Sequence, residues 1–210
     1  MLTIDVEQGS PAWHQARLGN VTASRVADIL AKTKGGKYTA KRNDYLIELV
    51  CERLTGEETD FFTTKEMQWG IDNEDNAAQL YGFSRDVEPE TIGLVKHPEI
   101  DRALASPDRL IGDEGLIEIK CPKSTTHTKY MMEEEVPPEY QQQIFWQLAC
   151  TGRKWCDFVS FDPRMPGNAQ LFVKRITISR EEQAHIEDDI RTFLGEVAQM
   201  EEAIHNRVEA

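Results

Sequence analysis

The stretch SPDRLIGDEGLIEIKCP (residues 106–122) sets Asp108, Glu118 and Lys120 on either side of a glycine-containing turn, the last two inside an apolar run. In an extended strand successive side chains alternate faces, and residues two apart share one face about 6 to 7 Å apart. The pattern sends Ile117 and Ile119 into a core. Glu118 and Lys120 then share the other face, which must be polar, wet or metal-bound, because neither charge is cheaply buried alone. An antiparallel turn around residues 112–115 brings Asp108 back beside Glu118. Two carboxylates and an ammonium at one place suit metal-assisted phosphodiester hydrolysis, since carboxylate oxygens are the hard ligands Mg²⁺ prefers and the ion keeps waters, one of which can attack. Lys120 can orient that water or offset the charge that builds on the phosphate. Taken by itself, a Glu-x-Lys tripeptide also fits an exposed strand carrying a salt bridge.

These residues need elements to hold them. Ser10-Pro11 before AWHQARL is a cap-then-proline helix start, with Gly19 just past its end. Thr22 reads as the cap of a short helix running to Leu30, and KTKGGKY (residues 32–38) as a mobile loop. Tyr45, Leu46, Leu49, Val50 and Leu54 define an amphipathic helix over 40–54 stopped by Gly56, and a second helix spans 65–81 and ends at Gly82. Strand-like runs follow at 91–95, 103–106, 116–121, 155–161 and 170–176. Between the third and fourth lies a helical insertion. Ser124 is one candidate cap there, and Pro137-Pro138 opens a helix with Tyr140, Gln143, Ile144 and Gln147 at helical spacing, closed by Gly152. Ile186, Ile190, Phe193, Leu194, Val197, Ile204 and Val208 form one stripe of a long final helix. The pattern predicts a single α/β domain over residues 1–210, a mixed central sheet flanked by helices.

At 210 residues with 40% hydrophobic content the chain can bury an ordinary core. No apolar run approaches the ~20 residues of a membrane span, and MLTIDVEQGS lacks a signal peptide's order, so a cytoplasmic protein is expected. Cys51, Cys121, Cys150 and Cys156 are scattered, which argues against a zinc ribbon or iron–sulfur site. The formal net charge of −13 argues against indiscriminate coating of nucleic acid. The charge is uneven, however: Arg17, Arg25, Lys32, Lys34, Lys37, Lys41 and Arg42 fall in one segment with Asp28 as its lone acid, whereas the final helix is strongly acidic. A basic groove on an acidic exterior is compatible with an enzyme that holds DNA, and Lys32, Lys34, Lys37, Lys41 and Arg42 are expected to face it.

Five blocks, AWHQARLGNVTAS (12–24), WGIDNE (69–74), SPD (106–108), EIKCP (118–122) and FDPRM (161–165), resemble the lambda exonuclease and YqaJ-type viral recombinase family of the PD-(D/E)xK nuclease superfamily. They keep that family's order and approximate spacing over nearly the whole length. The stretch 32–39 and the short hairpin between Asp108 and Glu118 depart from the lambda pattern. The resemblance implies a restriction-endonuclease-like core and a Mg²⁺-dependent exonuclease, with two ions and Mn²⁺ as a possible substitute. Such an enzyme degrades one strand of a linear duplex from its 5′ end and leaves a 3′ strand for a phage annealing protein. It further implies a homotrimeric ring working on 5′-phosphorylated DNA ends. By motif, Asp108, Glu118 and the Ile119 carbonyl would hold metal, Lys120 would serve the water, and Glu74 and Gln143 would complete the site. Arg17, Thr22, Ser24 and Ser106 would surround the 5′ phosphate, and Met67 would stand where relatives carry an apolar wedge at the terminal base pair. Trp13 and His14 read as packing residues. The alternatives are another nuclease of the superfamily, RecB-like, Cas4-like or nicking, or a non-catalytic DNA-end-binding module. Scattered cysteines disfavour a Cas4-like cluster, and the presence of Asp108, Glu118 and Lys120 disfavours a dead module.

Overall fold

In the computed structural model, which describes residues 1–59 and 64–208, the chain begins with β1 (Leu2–Ile4), α1 (Pro11–Arg17), β2 (Val21–Thr22), a 3-10 turn (Ala23–Arg25), α2 (Val26–Leu30), α3 (Ala40–Thr55) and α4 (Lys65–Arg85). Strands then dominate: β3 (Pro89–Glu90), β4 (Leu94–Lys96), β5 (Ala103–Ala105), β6 (Arg109–Ile111) and β7 (Gly115–Lys120). Helices α5 (Ser124–Glu133) and α6 (Pro138–Thr151) precede β8 (Trp155–Phe161), a 3-10 turn (Gly167–Gln170), β9 (Leu171–Ile176) and α7 (Arg180–Val208). The side chain of Val208, expected on the apolar stripe of α7, lies outside the described residues. No helix among the described residues is long and apolar enough to cross a membrane.

Local chemistry explains the helix ends. Ser10 Oγ accepts the Trp13 N–H at 3.2 Å, and Pro11 opens α1 with no N–H to leave unpaired. Gly56 and Gly152 take left-handed caps after α3 and α6, as their positions predict. Gly82 does not. Helix α4 runs through it to Arg85 and the left-handed cap falls on Asp86 at φ 55°. A Cβ at Gly82 would sit 2.8 Å from the Val87 carbonyl and 2.9 Å from Pro89 Cδ, so this glycine serves close packing rather than helix termination. Ser124 likewise is the first helical residue of α5, with Lys123 in the cap position.

Among the described residues the strands form two mixed sheets, in the orders β1-β4-β5-β2 and β3-β6-β7-β8-β9, where the sequence predicts one. The second carries the site. β6 pairs antiparallel with β7 in the register Arg109↔Ile117, and β7 pairs parallel with β8 through the α5–α6 crossover. Ile117 and Ile119 pack on Ala77, Ala78 and Tyr81 of α4, as expected. On the opposite face Leu116 packs on Ile144 and Leu148 of α6, Glu118 is buried beneath that helix at 1% exposure, and Lys120 keeps 26% of its side chain exposed.

A further cluster joins α2, α3, α6 and α7 through Val26, Leu49, Trp146 and Phe193. Its packing removes Arg42 from the residues expected to face DNA. Arg42 is 6% exposed, and its Nη1 and Nη2 donate to Glu196 of α7 at 2.5 and 3.0 Å, with the guanidinium also 4.0 Å from the Tyr38 ring. The acidic final helix draws this arginine inward because α3 and α7 lie side by side. Lys32, Lys34, Lys37 and Lys41 stay exposed, and residues 32–38 form a tight turn closed by the Thr33 N–H on the Lys37 carbonyl at 2.7 Å. Arg42→Met is therefore expected to cost about 1 to 3 kcal/mol of stability and to leave the salt dependence of DNA binding unchanged. Denaturant melts and binding isotherms over a salt series check both halves.

Candidate active site

One step beyond the Arg109↔Ile117 pair, the antiparallel register sets Asp108 opposite Glu118. Asp108 Oδ2 accepts the Ile119 N–H at 2.6 Å, which fixes the first carboxylate on the strand carrying the second. Glu118 Oε1 accepts from Lys120 Nζ at 2.5 Å and from Gln143 Nε2 at 2.7 Å, and Oε2 accepts from Gln147 Nε2 at 2.6 Å. Gln143 and Gln147 are one helical turn apart on α6, so both carboxamides reach the same strand. Gln147 is the residue the sequence reading left unassigned. Its spacing from Gln143 was the available signal. Its own Oε1 is buried with no hydrogen-bond partner among the described residues, a cost accepted where its amide holds Glu118.

Burial, then the charges of Glu118 and Glu74, pushes Asp108 well above the usual carboxylate range. Burial works against the charge on Lys120, but Glu118 and Asp108 outweigh it and raise its pKa. Burial, helped by Glu74 and Asp108, raises the Cys121 thiol to about 12, so it stays protonated beside the site.

Glu74 reaches the same cavity from α4, but its carboxylate is engaged elsewhere. Arg109 Nη1 donates to Glu74 Oε1 at 2.8 Å and to the Asp108 carbonyl at 2.5 Å, and Nη2 pairs with Asp75. Burial still raises the Glu74 pKa despite this partner. Glu74 thus stands close enough for its charge to act on Asp108 and Glu118 while Arg109 holds one of its oxygens, and no group of three His, Cys, Asp or Glu residues suited to a metal occurs among the described residues. Arg109 was not singled out in the sequence, although a cation directly after Pro-Asp and the Glu74-Asp75 pair were its signal.

The residues present nonetheless fit a divalent cation. Asp108 and Glu118 are hard oxygen donors, and the Asp108 pKa, raised first by burial and then by the charges of Glu118 and Glu74, marks a buried carboxylate that a cation would stabilise. A carboxylate offers about four lone-pair sites, and hydrogen bonds occupy three on Glu118, leaving one on Oε2.

Beside this centre a cavity of about 820 Å³ continues over Trp13, Arg17, Ser24 and Ser106. Trp13 Nε1 donates to Ser106 Oγ at 3.1 Å, and the Arg17 guanidinium lies 3.9 Å from the Trp13 ring centre. Trp13 thus organises this wall rather than filling a core, and His14 pairs with Glu58 at 3.1 Å near the surface. Arg17 makes no carboxylate ion pair among the described residues, and burial lowers its pKa. Thr22 is a correction. It is buried behind Arg17, whose Nη2 donates to Thr22 Oγ1 at 3.5 Å, and it does not line the cavity. Met67, 40% exposed on the first turn of α4, does line it. Lys32, Lys34, Lys37 and Lys41 do not; the basic residues on the wall are Arg17, Lys65, Lys120, Lys123 and Arg164.

Residues 12–154 match the family model of the YqaJ-like viral recombinase domain. The fold matches the crystal structure of an alkaline exonuclease, LHK-Exo, from Laribacter hongkongensis, at 41% identity and a TM-score of 0.89, covering 95% of this chain and 98% of that one. The same protein in complex with dAMP matches equally well. A phage-related exonuclease from Haemophilus somnus 129PT, 17% identical with a TM-score of 0.73 over 88% of this chain and 96% of that one, shares the fold. No curated protein matches. With a family model spanning most of the sequence and an exonuclease 41% identical along nearly all of it, this chain belongs to the YqaJ-like viral recombinase domain family and is a nuclease of the PD-(D/E)xK type.

Proposed function

We propose that this nuclease is a divalent-metal-dependent exonuclease that digests one strand of linear duplex DNA from its 5′ end and leaves a 3′ single strand for annealing recombination. One observation carries the reading: Asp108, Glu118 and Lys120 share a single cavity with Arg17, Ser24 and Ser106, so a hydrolytic centre adjoins an anion pocket. A Mg²⁺ ion, or Mn²⁺ in its place, held by Asp108, Glu118 and the Ile119 carbonyl would polarise the phosphate and lower the pKa of a bound water.

The chain's own groups divide the remaining work. Gln143 and Gln147 keep Glu118 aimed. Lys120 places its ammonium where it can orient the attacking water and offset charge on the scissile phosphate. Glu74, released from Arg109, adds a third carboxylate. Arg17 with Ser24 and Ser106 grips the terminal 5′ phosphate, Thr22 steadying the guanidinium from behind, and Met67 meets the last base pair. Lys32, Lys34, Lys37 and Lys41 meet the duplex outside the cavity. Stepwise hydrolysis of DNA to 5′ mononucleotides is in keeping with the relative solved with dAMP, a deoxynucleoside monophosphate. The proposed assembly is a homotrimeric ring acting with a phage annealing protein in the cytoplasm of a bacterial host.

Linear 5′-phosphorylated duplex and closed circular duplex, incubated with Mg²⁺, test this reading. The linear substrate is expected to yield mononucleotides and a surviving 3′ strand while the circle stays intact. A cut circle would mean an endonuclease, and two untouched substrates a binding module. Mass in solution, with and without duplex, checks the trimer.

A further inference from the structure

Two stacked arginine–tryptophan pairs face the cavity. Arg17 lies 3.9 Å from the Trp13 ring centre, and Arg164 lies 4.6 Å from that of Trp69. Ser106, bound to Trp13, leads into β6, whereas Arg164 follows β8, and the order β6-β7-β8 sets Glu118 and Lys120 of β7 between the two pairs. The reaction described above uses Arg17 and gives Arg164 and Trp69 nothing to do.

Arg164 is built into place. Asp162, at 0% exposure, accepts at Oδ1 from the Arg164 Nε at 2.7 Å and backbone N–H at 3.0 Å, and at Oδ2 from Nη2 at 3.1 Å. Nη2 also donates to the Pro122 carbonyl at 3.4 Å. Burial alone would raise the Asp162 pKa, but the bonds from Arg164 and Ser124 lower it to about 2, so the carboxylate stays charged. One edge of the guanidinium is thereby pinned and one face is stacked. Nη1 has no hydrogen-bond partner among the described residues, and the side chain is 50% exposed on the cavity wall beside Lys123. A guanidinium held in this way has little rotamer freedom left to lose on binding and presents a free N–H to an anion.

We propose that Arg164, mounted on Trp69, is the contact for the DNA phosphodiester on the 3′ side of the scissile bond. This rests on the reading that the strand is cut at Asp108 and Glu118 with its 5′ phosphate at Arg17. A strand anchored at Arg17 and crossing the carboxylates of Asp108 and Glu118 leaves over the end of β8, where Arg164 stands. The contacted group is an internal diester, present whatever the chemistry of the 5′ end. Arg164 therefore supports digestion of 5′-phosphorylated and 5′-hydroxyl ends alike, which separates it from Arg17.

The test uses 5′-phosphorylated duplexes carrying one neutral methylphosphonate at successive linkages, digested by the wild type, Arg164→Lys and Trp69→Phe. Arg164→Lys keeps a cation for buried Asp162 but removes the fork, and Trp69→Phe leaves the Asp162 pair untouched. The wild type is expected to slow about tenfold when the linkage just 3′ of the scissile one is neutral. Arg164→Lys should lose a similar factor on ordinary DNA, equally for both kinds of 5′ end, and show no further loss at that linkage while keeping its sensitivity at the others. Trp69→Phe should show the same linkage-specific insensitivity in weaker form. Wild-type sensitivity at every linkage in both variants would overturn the proposal and leave Arg164 a structural partner of Asp162. Failure of the wild type to digest unmodified linear duplex would instead overturn the exonuclease reading on which it rests.

Discussion

Asp108→Asn and Glu118→Gln are each expected to cut hydrolysis by about a thousandfold or more, because each removes a carboxylate proposed to hold the divalent cation that balances phosphate charge. Their effects on stability should differ. Folding raises the Asp108 pKa, so the folded chain holds that proton more tightly than the unfolded one; stability is lost as pH rises from the unfolded value through the folded value. Holding Asp108 ionised is a net cost in the metal-free fold, and asparagine, which still accepts the Ile119 N–H, should leave metal-free stability equal or higher. Glu118 is different because its oxygens accept from Lys120, Gln143 and Gln147. A glutamine there sets an amide donor against other donors, and should cost about 1 to 3 kcal/mol. Turnover assays with Mg²⁺ and denaturant melts in chelator measure both properties. Near-normal cleavage by either variant would show that the hairpin is not the hydrolytic centre.

Arg17→Ala is expected to slow initiation on 5′-phosphorylated duplex about tenfold to a hundredfold, the kinetic equivalent of one charge-assisted bidentate contact worth roughly 1.5 to 3 kcal/mol. Digestion of 5′-hydroxyl duplex should change much less. A terminal phosphate carries more charge and more free oxygens than an internal diester, and a guanidinium fork beside Ser24 and Ser106 can read that difference. The geometry favours Arg17 for this task, since it makes no carboxylate ion pair among the described residues and is already ordered against Trp13 and Thr22. Thr22→Ala should act through Arg17, with a smaller effect of the same selectivity. Equal losses on both kinds of end would make Arg17 structural.

Local pattern was enough for much of this molecule. The cap and proline of α1, the glycine ends of α3 and α6, the apolar alternation of β7 and the Gln143 and Gln147 spacing on α6 are all short-range features, set by backbone dihedrals and side-chain period. The Asp108–Glu118 pairing was legible for the same reason, because a hairpin brings near residues together. Contacts between elements distant in the chain decided the rest. Strands of two or three residues such as β1 and β2 are too short to show a period, so the first sheet exists only through its pairing partners. Charge counted along the chain assigned Arg42 to DNA, whereas packing of α3 on α7 gave it to Glu196. The family resemblance offers Glu74 as an acid of the site, but its engagement by Arg109 depends on how α4 lies against β6. The sequence thus determined which residues could perform the chemistry; the tertiary structure decided which of them are free to, because an ion pair or a buried face forms only when distant segments meet.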